Sequence, residues 1–317
     1  MNRFNRRQFI KTSIGIAGLT SMSFVATSRS DEAGKKNPVR LGGPVLSANL
    51  DPAEWVRVHQ NLKYSAAYCP VEPDASPEMI KAFEKAAEKA DLVIAEAGAW
   101  SNPISPDDNQ RKEAFDLCCA QLNLADEIGA KCCVNIAGSR DPERWDGPHP
   151  NNLSSDTFDM IVEVTRKIID SVKPKRTFWA LETMPWIFPD SVEAYLKLLK
   201  AIERKAFAVH IDPVNLVNSP RRYFKNGDMI REAFNKLGSY IKSCHAKDIR
   251  MEDGFPVNIQ ECKPGLGRLD YAVYFKEISK LPDPPPLMME HLEDPEEYQA
   301  ASNYLRSIAR ENDIHVL

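Results

Sequence analysis

From residue 38 onward the chain repeats one pattern eight times: a short run rich in β-branched and apolar residues, then a longer amphipathic one. The strand-like runs lie near 39–46, 64–69, 91–98, 131–137, 177–184, 207–212, 241–246 and 287–292. Helical patterns fill the intervals at about 52–62, 76–89, 108–129, 155–173, 190–204, 228–237, 269–280 and 294–312. Several helix starts carry capping residues, as in Asp51-Pro52, Ser76-Pro77-Glu78 and Asp294-Pro295-Glu296-Glu297. Prolines collect after strands, at Pro70, Pro103, Pro148, Pro185 and Pro213 among others. Eight successive strand-helix units in about 280 residues predict an α/β chain folded as a single-domain (β/α)8 barrel over residues 38–317. A doubly wound open sheet would carry a glycine-rich phosphate loop after its first strand, and Leu41-Gly42-Gly43-Pro44 does not have that spacing.

Residues 1–30 differ in kind. They hold Arg3, Arg6, Arg7, Lys11 and Arg29 with no acid, and Arg6-Arg7-Gln8-Phe9-Ile10-Lys11 precedes an uncharged stretch from Thr12 to Thr27. At about 16 residues, that stretch is shorter than the roughly 20 needed for a permanent membrane span, so no stable anchor is expected. A basic front, an apolar middle and small residues at the end describe a secretory signal. The arginine pair resembles a twin-arginine signal, which implies the twin-arginine export machinery as a partner and an exported, periplasmic or otherwise extracytoplasmic protein. The net charge of −4 then divides unevenly, because the remaining residues hold 36 basic and 45 acidic groups. A body at net −9 argues against nucleic-acid binding, which needs a basic surface. Cys69, Cys118, Cys119, Cys132, Cys133, Cys244 and Cys262 are odd in number and partly adjacent, and read as small buried apolar residues rather than a disulfide frame.

Polar residues inside apolar strands are informative, because an unpaired buried charge is costly. The last four strand-like runs each place one metal-ligand type at about the same depth: Glu182, Asp212, His245 and Glu290. Their spacings of 30, 33 and 45 residues match one strand-helix-strand step each, the longest containing an extra loop from Asp253 to Gly267. Four such side chains on consecutive barrel strands converge at the C-terminal mouth. Three carboxylates and one imidazole suit one divalent ion, Mn²⁺, Mg²⁺ or Co²⁺, with Zn²⁺ also within range. His210 shares the face of Asp212, and Lys247 that of His245, so both are candidates to bind substrate or orient a ligand. Glu96 and Asn135 interrupt the third and fourth strands as candidate pocket groups. Trp100, Trp186 and Phe188 follow strand ends, where they could pack against a sugar ring. His59, His149 and His315 carry no pattern and are expected at the surface.

The body resembles the xylose-isomerase-like TIM barrels, the superfamily of sugar phosphate isomerases and epimerases. The resemblance rests on Ala95-Glu96-Ala97-Gly98-Ala99-Trp100-Ser101-Asn102, Leu181-Glu182, Asp212-Pro213-Val214-Asn215, His245-Ala246-Lys247-Asp248, the run from Gly265 to Tyr271, and Met289-Glu290. It implies Glu182, Asp212, His245 and Glu290 as the ligands of the metal, with Glu182 and Glu290 also the catalytic proton-transfer pair. Asn215 stands where many ketose epimerases of the family have a histidine, and Arg250 lies near, though not at, the place of their substrate-binding arginine; both are candidate substrate contacts. The implied activity is epimerisation or isomerisation of a small-molecule sugar through an enediolate. Loss of a β-hydroxyl from the same enediolate would instead make the enzyme a lyase or dehydratase, and a non-catalytic sugar-binding protein is the alternative from another class. Export favours an unphosphorylated sugar, keto-sugar or glycoside, although Gly265-Leu266-Gly267 could hold an anion. The sequence leaves open whether the chain forms a homo-oligomer. The DNA-repair endonucleases of the superfamily need additional histidines, and the first four strand-like runs contain none.

Overall fold

In a computed structural model, described for residues 36–46 and 50–317, eight parallel strands close on themselves. They are β1 (Leu41–Gly42), β2 (Ala66–Tyr68), β3 (Val93–Gly98), β4 (Cys132–Asn135), β5 (Trp179–Glu182), β6 (Phe207–Ile211), β7 (Ile241–Ala246) and, eighth round the barrel, β10 (Leu287–Met289). Closure runs through β1, whose Leu41 and Gly42 pair with Leu287 and Met288 of β10, while Gly42 also pairs with Ala66 of β2. The expected (β/α)8 barrel is therefore the fold. The proposed export segment at residues 1–30 lies outside the described residues.

The helices α1 (Pro52–Asn61), α2 (Pro77–Lys89), α3 (Asp108–Ile128), α4 (Ser155–Val172), α5 (Val192–Ile202), α7 (Asn226–Leu237), α8 (Tyr271–Lys280) and α9 (Pro295–Glu311) match the expected intervals, and a short α6 (Pro220–Phe224) precedes α7. Asp51 accepts from the Ala53 and Glu54 amides, Ser76 from Met79 and Asp294 from Glu297, as the capping residues predict. Two expectations are corrected. The first strand is shorter than 39–46: Val39 makes only an isolated bridge to Val316, and pairing stops before Pro44, which has no amide to donate. The extra loop between Asp253 and Gly267 belongs to a hairpin, with β8 (Asp248–Glu252) antiparallel to β9 (Asn258–Cys262).

Strand alternation builds two layers inside the barrel. Ala180 and Glu182, His210 and Asp212, Ser243, His245 and Lys247, and Met288 and Glu290 each share a face by their spacing of two. Small side chains such as Ala66, Ala95 and Ala180, all fully buried, leave room for the large polar ones. The cysteines are free, and Cys118, Cys132, Cys133 and Cys244 are buried, as expected of small apolar residues.

The helices brace the strands that carry the polar residues. The Tyr195 hydroxyl of α5, fully buried, donates to the Leu181 and Ala208 carbonyls and accepts from the Leu181 and His210 amides, so it ties β5 to β6. From α8, the Tyr274 hydroxyl donates to the His245 carbonyl and Tyr271 to that of Lys247. Replacing Tyr195 with Phe keeps the ring and removes the tie. The expected cost is about 1–3 kcal/mol of stability, seen as a lower denaturant midpoint; an unchanged midpoint would remove the brace from the account.

Candidate metal and substrate site

Glu182 ends β5, Asp212 follows β6, His245 lies on β7 and Glu290 follows β10. Each offers one ligand atom, and the four atoms lie within 4.8 Å of one another. His245 Nδ1 is 2.7 Å from Glu290 Oε1 and 3.2 Å from Glu182 Oε1. Asp212 is locked by its own turn: Oδ1 accepts from the Val214 and Asn215 amides, which leaves Oδ2 facing inward. Thr183 Oγ1 donates to the Asp212 carbonyl and accepts from its amide, fixing the ends of β5 and β6 together. Asn215 Nδ2 donates to Glu182 Oε1 at 3.1 Å, so it orients that carboxylate from the pocket wall.

Lys247 reaches into the same space. Its ammonium lies 2.6 Å from Glu290 Oε1, 2.8 Å from Asp212 Oδ2, 3.6 Å from Glu261 Oε2 and 3.8 Å from Glu182 Oε1. Burial opposes a charge on both Lys247 and His245, yet the surrounding carboxylates outweigh it and hold each well above its ordinary value. Burial likewise pushes Asp212 and Glu290 up, and the neighbouring cations bring both below the usual carboxylate range. Counting Glu96 beneath and Glu261 at the rim, five carboxylates lie around these two cations, so negative charge is in excess. Asp212 Oδ2 and Glu290 Oε1 are buried, and what holds them is the Lys247 ammonium, with His245 Nδ1 also on Glu290. An oxygen-rich donor set with excess negative charge fits a divalent metal ion.

Above these residues opens a cavity of about 560 Å³ whose lining includes Tyr68, Trp100, Arg144, Trp145, Asp146, Glu182, Trp186, Asn215, Lys247, Glu261, Glu290 and His291. Trp100 and Trp145 are 43% and 42% exposed, so much of their indole surface is free to meet a ligand. Trp186 Nε1 donates to the Asp146 carbonyl, which joins the loops after β4 and β5 into one wall.

Other expected contacts fall elsewhere. Glu96 and His210 are 1% and 0% exposed and sit sealed below the cavity rather than lining it. Arg250 is exposed on the hairpin and pairs with Glu252, because its position on β8 turns it away from the cavity. Phe188 packs edge-on against Phe158, and Asn135 pins the Ser101 backbone from within the core. His59 is buried, its Nδ1 at 2.8 Å from the Trp55 carbonyl, whereas His315 is exposed and His149 partly so. The amides of Gly265 and Gly267 are not free to hold an anion: both donate to the Asp248 carboxylate, as do those of Ile249 and Leu269.

Glu261, His291, Trp145 and Tyr68 also line the cavity and were not among the residues expected there from sequence. Glu261 comes from the return strand β9 and lies 3.0 Å from His291 Nδ1. The only signal for it was the unusually long interval between His245 and Glu290. Trp145 sits in the Gly- and Pro-containing stretch after β4, where barrel active-site loops lie.

A family model described as xylose isomerase-like TIM barrel matches residues 54–308, and the chain belongs to that family. No curated protein matches it. Among solved structures, it is similar to the 3-keto-D-glucoside 4-epimerase YcjR of E. coli, at 14% identity and a TM-score of 0.61 over 85% of this chain and 99% of that one. A xylose isomerase-like TIM barrel protein of Mycobacterium smegmatis, in complex with magnesium, gives 14% identity and a TM-score of 0.62 over 86% and 98%. The probable 3-DHS dehydratase AsbF of Bacillus anthracis gives 12% and 0.60 over 86% and 98%. At these identities the likeness is one of fold.

The charge arrangement sets a pH dependence for ion binding. A ligating imidazole must be neutral, whereas the carboxylates favour a proton on His245 in the metal-free protein. Binding of Mn²⁺ should therefore release about one proton, and affinity should fall about tenfold for each unit by which the pH is lowered while His245 is protonated. Calorimetry in two buffers of different ionisation enthalpy measures the proton count; identical heats in both would contradict it.

Proposed function

We propose that the protein is a divalent-metal-dependent enzyme that moves a proton on an unphosphorylated keto-sugar or keto-glycoside, giving an epimer or isomer. The observation that carries this reading is the convergence of Glu182, Asp212, His245 and Glu290 at the floor of a cavity walled by tryptophans. A bound divalent ion, Mn²⁺, Mg²⁺ or Co²⁺ by its oxygen-rich donor set, would act as a Lewis acid on the oxygen where negative charge develops. Glu182 and Glu290 bracket the His245 edge from β5 and β10. In this scheme one glutamate takes the proton beside the carbonyl and the other returns one from the opposite face, the two forming an acid–base pair. Asn215 holds Glu182 in place, and Lys247 anchors the carboxylates or a substrate hydroxyl. Trp100, Trp145 and Trp186 take the apolar faces of the sugar.

An unphosphorylated substrate is favoured because the Gly265 and Gly267 amides already serve Asp248, and the cavity lining is rich in acid at Asp146, Glu182, Glu261 and Glu290. The export signal read at residues 1–30 agrees with a substrate outside the cytoplasm. The fold likeness to a 3-keto-D-glucoside epimerase supports the same class. Dehydration is the second reading, favoured by His291, a ring beside Glu261 and Glu290 that could protonate a departing hydroxyl.

The test is metal analysis of the purified protein followed by turnover of a keto-sugar panel in deuterated water. Deuterium uptake without net loss of water is expected; loss of water selects the dehydratase reading, and no uptake with any sugar sinks the enediolate scheme. Glu182→Gln and Glu290→Gln should each lower turnover by about 10²–10⁴-fold. Either variant keeping both its metal and full turnover rules out the two-glutamate pair.

A further inference from the structure

Below the candidate metal floor lies a second polar cluster that the proposed proton transfer does not use. Glu96, on β3, crosses the barrel interior to three side chains of β6 and β7. Its Oε1 accepts from Ser243 Oγ at 2.5 Å and lies 3.3 Å from His210 Nε2; its Oε2 lies 3.3 Å from His245 Nε2. The His210 and His245 rings meet edge-on, with centroids 4.1 Å apart. All four residues are at most 1% exposed.

A buried carboxylate here requires a purpose, because an ionised group away from water is costly unless its hydrogen bonds are met. Glu96, His210 and His245 could by geometry hold a second ion. Against that, one Glu96 oxygen is already taken by Ser243, the pocket is closed to water, and His245 already turns Nδ1 to Glu182 and Glu290. The hydrogen-bond inventory gives a simpler account. A neutral imidazole carries one proton, and a carboxylate can only accept. His245 Nδ1 also faces carboxylates; with an ion in the place of a proton there, Glu96 at Nε2 keeps the ring's one proton on that nitrogen and leaves the Nδ1 lone pair to the ion. The same logic puts the His210 proton on Nε2 and leaves its Nδ1 an acceptor without a partner, as found.

We infer that Glu96 is a positioning residue that fixes the tautomer and ring orientation of His245 so that Nδ1 is presented to a divalent ion, with Ser243 and His210 holding Glu96 in turn. Such outer carboxylates typically change metal affinity by about 10–100-fold when altered. A glutamine at 96 is nearly the same size but can present an N–H to His245. That arrangement stabilises the tautomer with its proton on Nδ1, pointing at the ion.

This inference rests on the reading of Glu182, Asp212, His245 and Glu290 as metal ligands, and the experiment separates the two. Mn²⁺ affinity is measured by calorimetry for the wild-type chain, Glu96→Gln and Ser243→Ala, with circular dichroism as the check on folding. The His245 ring protons are followed by nitrogen-15 NMR in the Zn²⁺-loaded wild type and Glu96→Gln. Expected are a wild type that binds Mn²⁺, a folded Glu96→Gln weaker by about 10–100-fold, and a smaller loss of two- to tenfold in Ser243→Ala. An Nε2–H resonance should be present in the wild type and lost or moved in Glu96→Gln. Failure of the wild type to bind Mn²⁺ overturns the ligand reading itself. Wild-type affinity in Glu96→Gln, or an Nδ1–H in the loaded wild type, overturns only the role of Glu96. If Glu96→Gln does not fold, unchanged affinity in Ser243→Ala has the same force.

Discussion

Burying several carboxylates in one barrel interior is the constraint on which the rest of this structure depends. Glu96, Glu182, Asp212 and Glu290 come from four different strands or strand ends, yet each lies close enough to His245 or Lys247 to share a counter-charge. Isolated ionised carboxylates would not tolerate such burial. The compensation is built from donors that cannot move away: the Val214 and Asn215 amides on Asp212, the Asn215 amide group on Glu182, and the Ser243 hydroxyl on Glu96. Even so, negative charge exceeds positive, and Asp212 Oδ2 and Glu290 Oε1 converge on the one Lys247 ammonium. A divalent ion would offset that excess and suits the donor chemistry.

The fold serves this arrangement through the period of two along each strand. Along β7 and just past its end, Ser243, His245 and Lys247 face inward in succession, so one segment reaches the lower cluster, the metal floor and the cavity. His210 and Asp212 do the same at β6, where the register with β7 shifts between Val209 and His210. Tyrosines from α5 and α8 bond to the backbone of these same strands rather than to the polar side chains. They therefore hold the strand ends without consuming the groups that the site needs.

How much of this was legible depended on whether an alternation or a long-range closure decided the position. The eight strand-helix units and the four ligands could be read because local periodicity and spacing encode both. Glu96 and His210 stand out in sequence as polar residues inside apolar strands, but sequence does not say at which depth they lie, so Glu96 is expected in the pocket and His210 either there or orienting a ligand, and both lie beneath the cavity. Arg250 falls outside because of alternation on a hairpin the sequence does not announce: it pairs with the exposed Gln260, while its neighbour Ile249 pairs with Glu261, which lines the cavity. Gly265-Leu266-Gly267 looked free for an anion because its partner, Asp248, lies 17 and 19 residues away from the two glycines. Glu261 and Trp145 were missed since only the folded loops bring them over the floor.

That division separates two kinds of specificity. The floor is made by strands whose side chains are fixed by backbone register and by the hydrogen bonds of Asn215, Thr183 and Glu96, and it sets the chemistry open to the site. The walls are made by loops, with Trp100 after β3, Trp145 after β4, Trp186 after β5 and Glu261 from the hairpin. Indole faces contribute area with little directional demand, whereas Arg144, Asp146 and Glu261 can distinguish one hydroxyl pattern from another. Substitutions of Trp100, Trp145 and Trp186 should therefore alter which sugar is accepted while leaving ion affinity nearly intact, because among the cavity-lining residues it is Asn215, Glu261 and His291, not these indoles, that make polar contacts with Lys247 or the ligand carboxylates.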